Sequence, residues 1–151
     1  MSGIRRSYGR SLVRRGPDRI PANRFRQAAE ERWKDARCLY DNRRFEGAIY
    51  LCGYVLECFL KFARCELANR SNMELAEAKR WSHNLVELLE GCGLGEALER
   101  NRDLQVAFAR INSRWSPEIR YSGQSSDERT CASFLQDTKD IRNWLQTQLR
   151  P

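Results

Sequence analysis

Apolar positions recur at three- and four-residue spacing through most of this chain. The first stripe is Phe25, Ala28, Ala29, Ala36, Leu39 and Tyr40, the pattern of a helix that buries one face. Asn23 is a good N-cap residue and predicts its start, with the end near Asp41. Asn42 and Arg43 predict a tight turn. Over residues 44–68 the pattern changes: Ile49, Tyr50, Leu51, Tyr54, Val55, Leu56, Phe59, Leu60 and Phe62 run nearly all round the helix. Such a helix sits in the middle of a bundle and is contacted on several sides. Gly47 and Gly53 cost helix propensity there, so each predicts a close approach by a neighbouring helix.

Residues 69–80 are polar and support at most a helical turn or two, from Met73 to Lys79. Ser82 predicts the cap of a short helix carrying Leu85, Leu88, Leu89 and Cys92, which Gly91, Gly93 and Gly95 terminate. Asn101 predicts the cap of the next, with Leu104, Ala107, Phe108, Ile111 and Trp115 on one face; Pro117 ends it. Ser125 followed by Glu128 fits a capping box for a last helix with the stripe Cys131, Phe134, Leu135, Thr138, Ile141, Leu145 and Leu149. No segment alternates with the period of a strand. The expectation is an all-α bundle of four long helices and one or two short ones over residues 23–151, behind an arm over residues 1–22.

Charge sharpens that division. Residues 1–26 hold eight arginines against the single acid Asp18, while the 151-residue chain carries a formal +7. That segment accounts for the whole excess, and residues 27–151 are neutral in sum. Arg5, Arg6, Arg10, Arg14, Arg15 and Arg19 form the electrostatic footprint expected for RNA or another polyanion; a solvated tail is the alternative. The same composition describes a mitochondrial transit peptide, but Gly9, Gly16 and Pro17 interrupt any long amphipathic helix. No apolar run reaches the roughly 18 residues that would predict a membrane span. Six cysteines without a C-x-x-C pair, beside one histidine, predict core thiols in a reducing cytoplasm and no metal site. Three glycines with no preceding strand are a helix stop, not a phosphate-binding fingerprint, so no cofactor is expected.

Three segments, the hairpin from Asp35 to Lys61, the stretch from His83 to Leu89 and the stretch from Trp115 to Tyr121, together resemble the HEPN family of helical bundles that act on or around RNA. Asp35-Ala36-Arg37-Cys38-Leu39-Tyr40 and the run from Arg44 to Lys61 are similar to its first helical hairpin. His83-Asn84-Leu85 with Leu88-Leu89 resembles its His-x-Leu-x-x-Leu-Leu element, and Trp115 through Arg120-Tyr121 resembles the Arg-Tyr pair before its last helix. The resemblance implies a bundle that often dimerises, in a family of ribonucleases, toxins of toxin–antitoxin pairs, nucleotidyltransferase partners and defence components. The catalytic members carry an Arg, four to six residues, then a His. Here Arg120 is followed at those spacings by Ser125, Ser126 and Asp127, and His83 is preceded by Ala76, Glu77 and Ala78. The motif is absent, which implies a non-catalytic subunit; an endoribonuclease with an atypical site is the alternative.

The candidate groups follow. Glu57 and Lys61 stand one turn apart, in the favourable order, on the most apolar helix. They are either a packing ion pair or part of a polar site with His83 and Arg120. His83, beside a helix start, is either structural or a general base. Arg120 and Tyr121 can clamp a phosphate and stack a base, although Tyr121 equally suits a lid on the core. Trp33 and Trp144 lie at the edges of their helices' apolar stripes. They are candidate anchors for a homodimer or a partner protein, or else they fold over their own core.

Overall fold

Helix α2 (Phe45–Leu67) is the axis of the molecule, and its composition explains why. Ile49, Leu56, Phe59 and Leu60 are completely or almost completely buried on it, on more than one side of the helix. A helix with no solvent face needs neighbours all round. The computed structural model describes residues 18–121, 123 and 125–149, residue 82 excepted, with the side chain of Arg120 also outside the description. Around α2 pack α1 (Ala22–Asp41), α4 (Leu85–Gly91), α7 (Glu128–Gln148) and a 3-10 helix (Pro117–Tyr121). Helix α6 (Arg102–Arg114) closes the bundle against α7, with the short helices α3 (Leu75–Trp81) and α5 (Gly95–Glu99) in the connections. The architecture is all-α, with the four long helices α1, α2, α6 and α7. The short ones exceed the one or two expected, because residues 69–101 break into several single turns.

Helix ends show how the hairpins are set. After α1, the Arg44 N–H donates to Leu39 O at 2.8 Å and the Arg43 N–H to Tyr40 O at 2.9 Å. After α2, Arg70 bonds to Cys65 O at 2.8 Å and Asn69 to Glu66 O at 3.1 Å. Both are Schellman closures, which require a left-handed residue after the C-cap. Arg43 (φ 62°) and Asn69 (φ 54°) supply it without glycine. Of the three glycines expected to stop α4, only Gly93 (φ 70°) has that role; Gly91 is helical and Gly95 begins α5.

Four local expectations are corrected. Helix α1 begins at Ala22, after Pro21, rather than at an Asn23 cap. Asn84 caps α4, accepting from the Glu87 N–H at 3.0 Å, whereas Ser82 lies outside the described residues. Asp127 caps α7, accepting from the Thr130 N–H at 2.7 Å, in place of the Ser125–Glu128 box; a carboxylate there also meets the helix dipole. Finally, two three-residue strands exist. β1 (Arg19–Pro21) pairs antiparallel with β2 (Asn72–Glu74) in the register Arg19 to Glu74, Ile20 to Met73 and Pro21 to Asn72. This pairing buries Met73 completely. Strands so short show no alternation, and the partners lie more than fifty residues apart.

Trp115 is buried against α2. Its ring lies on Gly53, where a Cβ would fall inside the indole, and its Nε1–H donates to Tyr50 O at 2.9 Å. Gly47 is also closely approached, 3.2 Å from an added Cβ to Leu39 Cδ1. The neighbour at Gly53 is thus an indole rather than a helix backbone. Arg110 grips the buried Asp137 through Nε (2.8 Å) and a terminal nitrogen (2.7 Å), joining α6 to α7. No helix among the described residues is long and apolar enough to cross a membrane.

Candidate functional site

Two charged residues, Glu57 and Lys61, lie within the buried stretch of α2, and that apolar setting forces them together. The Glu57 and Lys61 side chains are only 8% and 9% exposed, so neither can be solvated separately. Lys61 Nζ donates to Glu57 Oε1 at 2.8 Å. The second carboxylate oxygen, Oε2, lies 2.8 Å from His83 Nδ1. His83 is held for this contact by its position immediately before the Asn84 cap, at the start of α4. With Glu57 ionised, Nδ1 carries the proton and donates, and Nε2 is the ring nitrogen not engaged by Glu57.

Aromatic rings wall the same place. Tyr54, three residues before Glu57, meets His83 edge-on with centroids 5.6 Å apart and Trp115 edge-on at 5.3 Å. Trp115 and His83 approach to 6.2 Å, and the Tyr50 and Tyr54 hydroxyl oxygens are 3.2 Å apart. The histidine is 40% exposed and lines an open groove of about 590 Å³ with Asn84, Val86, Glu87 and Asn112. The result is a carboxylate-oriented imidazole at the mouth of a groove, backed by a buried ammonium. This arrangement can hold a proton on one face of the ring and accept one on the other.

Glu57, Lys61 and His83 therefore converge. The backbone carrying Arg120 and Tyr121 forms the 3-10 helix that packs on α2. Tyr121 is 76% exposed, which removes the core-lid reading, and the Arg120 side chain lies outside the described residues. So do Arg5, Arg6, Arg10, Arg14 and Arg15. Arg19 is in β1, where it bonds to Asn72 Oδ1 at 2.6 Å and Glu74 Oε1 at 3.1 Å. Trp33 and Trp144 are both half-buried against the core, on α1 and α7. The Arg142 guanidinium stacks over the Trp33 ring at 5.0 Å.

Sequence reasoning did not assign Tyr50 and Tyr54 to a site, nor Trp115 beyond its stripe and the family segment. Gly53 inside an otherwise packed helix was the available signal, since it predicted something pressing on the helix one residue before Tyr54. Among the described residues, no cluster of three or more metal-ligating side chains occurs. The chain matches no protein-family model, and no curated protein or solved structure is significantly similar to it.

Proposed function

We propose that this chain is a HEPN-like subunit that binds RNA, a partner protein or both, without cleaving RNA, in a prokaryotic stress or defence system of the cytoplasm. The observation that carries the reading is convergence. The three segments that resemble the family are separated in sequence, yet His83 of the second contacts Glu57 and Tyr54 of the first and Trp115 of the third, and Tyr54 contacts Trp115. That convergence is what supports the reading. The nearly neutral bundle then serves as docking body, as homodimer or partner interface, and the Arg-rich arm as electrostatic contact. In a mobility-shift assay, single-stranded RNA is expected to shift with the protein and to be recovered uncut after long incubation. RNA that fails to shift at low salt contradicts the binding half of the reading.

A second reading is favoured by one observation, the Glu57–His83 pair beside an open groove. A base at His83 and a cation at Arg120 are the elements that a metal-independent endoribonuclease needs for attack of a 2′-hydroxyl on the adjacent phosphate. Cleavage that persists in chelator and is lost in both His83→Ala and Arg120→Ala would establish it in place of the first.

A further inference from the structure

The bundle is close to neutral in sum, but its cations are not evenly matched. Arg26, Arg32, Arg64, Arg70 and Arg110 each lie against a carboxylate. On the groove between α1 and α7, three do not. Arg37, Lys139 and Arg142 line it together and have no ion pair among the described residues. Asp41 also lines this groove and pairs with none of them, while Glu30, whose charge reaches Arg142, is itself 3.7 Å from Arg26. The remaining walls include Trp33, Tyr40 and Leu135.

Arg142 is the informative member. Its guanidinium lies over the Trp33 ring, and its Nε is buried without a hydrogen-bond partner among the described residues. Burial lowers its pKa from the ordinary value, yet a guanidinium stays charged at neutral pH. A fixed, partly desolvated cation on an indole gives a flat platform flanked by positive charge, which is how single-stranded nucleic acid is held without sequence preference.

We infer that the α1–α7 groove is a binding track for single-stranded RNA, with Arg37, Lys139 and Arg142 on successive phosphates and a base against Tyr40 or the Arg142–Trp33 stack. The inference deepens the RNA-binding reading above and rests on it; it places part of the contact on the bundle itself, apart from both the arm and the Glu57–His83 site. An acidic peptide would match the charges but has no use for the stacking platform.

The test uses the full chain and a fluorescein-labelled oligouridine read by anisotropy over a salt series. Arg37→Gln/Lys139→Gln removes two exposed cations that make no hydrogen bond or ion pair among the described residues, so folding is expected to be unchanged by circular dichroism. Arg24→Gln/Lys79→Gln, at exposed sites elsewhere, removes the same charge. The groove variant is expected to lose about tenfold or more in affinity at 0.1 M salt and to flatten the log–log salt slope by about 1.4, from roughly 0.7 per phosphate contact. The control variant should lose far less. Equal losses in the two variants would overturn the groove and leave general RNA binding standing, as would an unchanged groove variant whose parent loses binding when its arm arginines are replaced. Displacement of the RNA by polyglutamate at matched charge would also overturn it. No RNA binding by the parent protein would remove both this inference and the function on which it rests.

Discussion

Glu57→Ala is the most informative change in the core. It leaves the Lys61 ammonium on a side chain only 9% exposed, and it removes the oxygen 2.8 Å from His83 Nδ1. Stranding a buried charge in this way costs about 3–5 kcal/mol. At roughly 3 °C per kcal/mol for a chain of this size, Tm should fall by about 10–15 °C. Lys61→Ala should cost less, because His83 still supplies a donor to the carboxylate. The double change Glu57→Leu/Lys61→Met, which replaces both charges with apolar volume, should be within about 1 kcal/mol of the parent; His83, at 40% exposure, regains water. Urea unfolding followed by circular dichroism measures each, with constant m as the check that only stability has moved. A Glu57→Ala cost below about 1 kcal/mol, or a double-mutant cycle of Glu57→Ala and Lys61→Ala with strictly additive costs, would show that the pair is not coupled as its geometry requires.

Gly53→Ala should lower stability even though alanine favours helix by about 1 kcal/mol, because overpacking costs about 1–3 kcal/mol and Trp115 is tethered through Tyr50 O. An unchanged or raised Tm would contradict this. Burial raises the Cys52 thiol to about 12 and the Cys58, Cys92 and Cys131 thiols to about 11. A thiol reagent at pH 8 should therefore modify the exposed Cys38 quickly and the others far more slowly; several fast thiols in the native protein would refute it. The hydrogen bonds from Arg70, then those from Arg64, hold the Glu77 carboxyl at about 2 instead of 4.5, against the opposing effect of burial. A depressed folded pKa stabilises above the unfolded value. The stability lead of the parent over Glu77→Gln should thus be full above about pH 5 and close as pH falls from 4.5 toward 2. A lead independent of pH over that window would count against it.

The long helices were legible because their apolar stripes are long and α2 has no polar face. Pro117 and Asn101 also acted as expected, Asn101 accepting from the Leu104 N–H at 3.2 Å. The connections were harder to read because competing caps stood close together. Serine was a reasonable choice at 125, but Asp127 lay nearer the first periodic residue and brought a charge to the dipole. The β1–β2 pair was invisible because three residues carry no periodicity and their pairing is long-range. Of the candidate site, Glu57 with Lys61 followed from helical spacing alone. Sequence offers His83 as a partner in one of two readings of that pair, but choosing between them needs tertiary structure, since 26 residues separate it from Glu57. The aromatic wall was announced only indirectly, by a glycine where the pattern required bulk.

The central claim, that the arginine-rich arm carries this protein onto RNA, is tested most directly by the salt dependence of binding. The comparison is between the parent chain and a variant with Arg5, Arg6, Arg10, Arg14 and Arg15 changed to Gln. Arg19 is kept, because it is bonded within the β1–β2 pair. If all five arginines meet phosphate, the slope of log affinity against log salt should flatten by about 3.5, at roughly 0.7 per contact on a single strand. Affinity at low salt should fall by orders of magnitude while the thermal transition stays in place. Equal affinity and an identical slope in the two proteins would contradict the account.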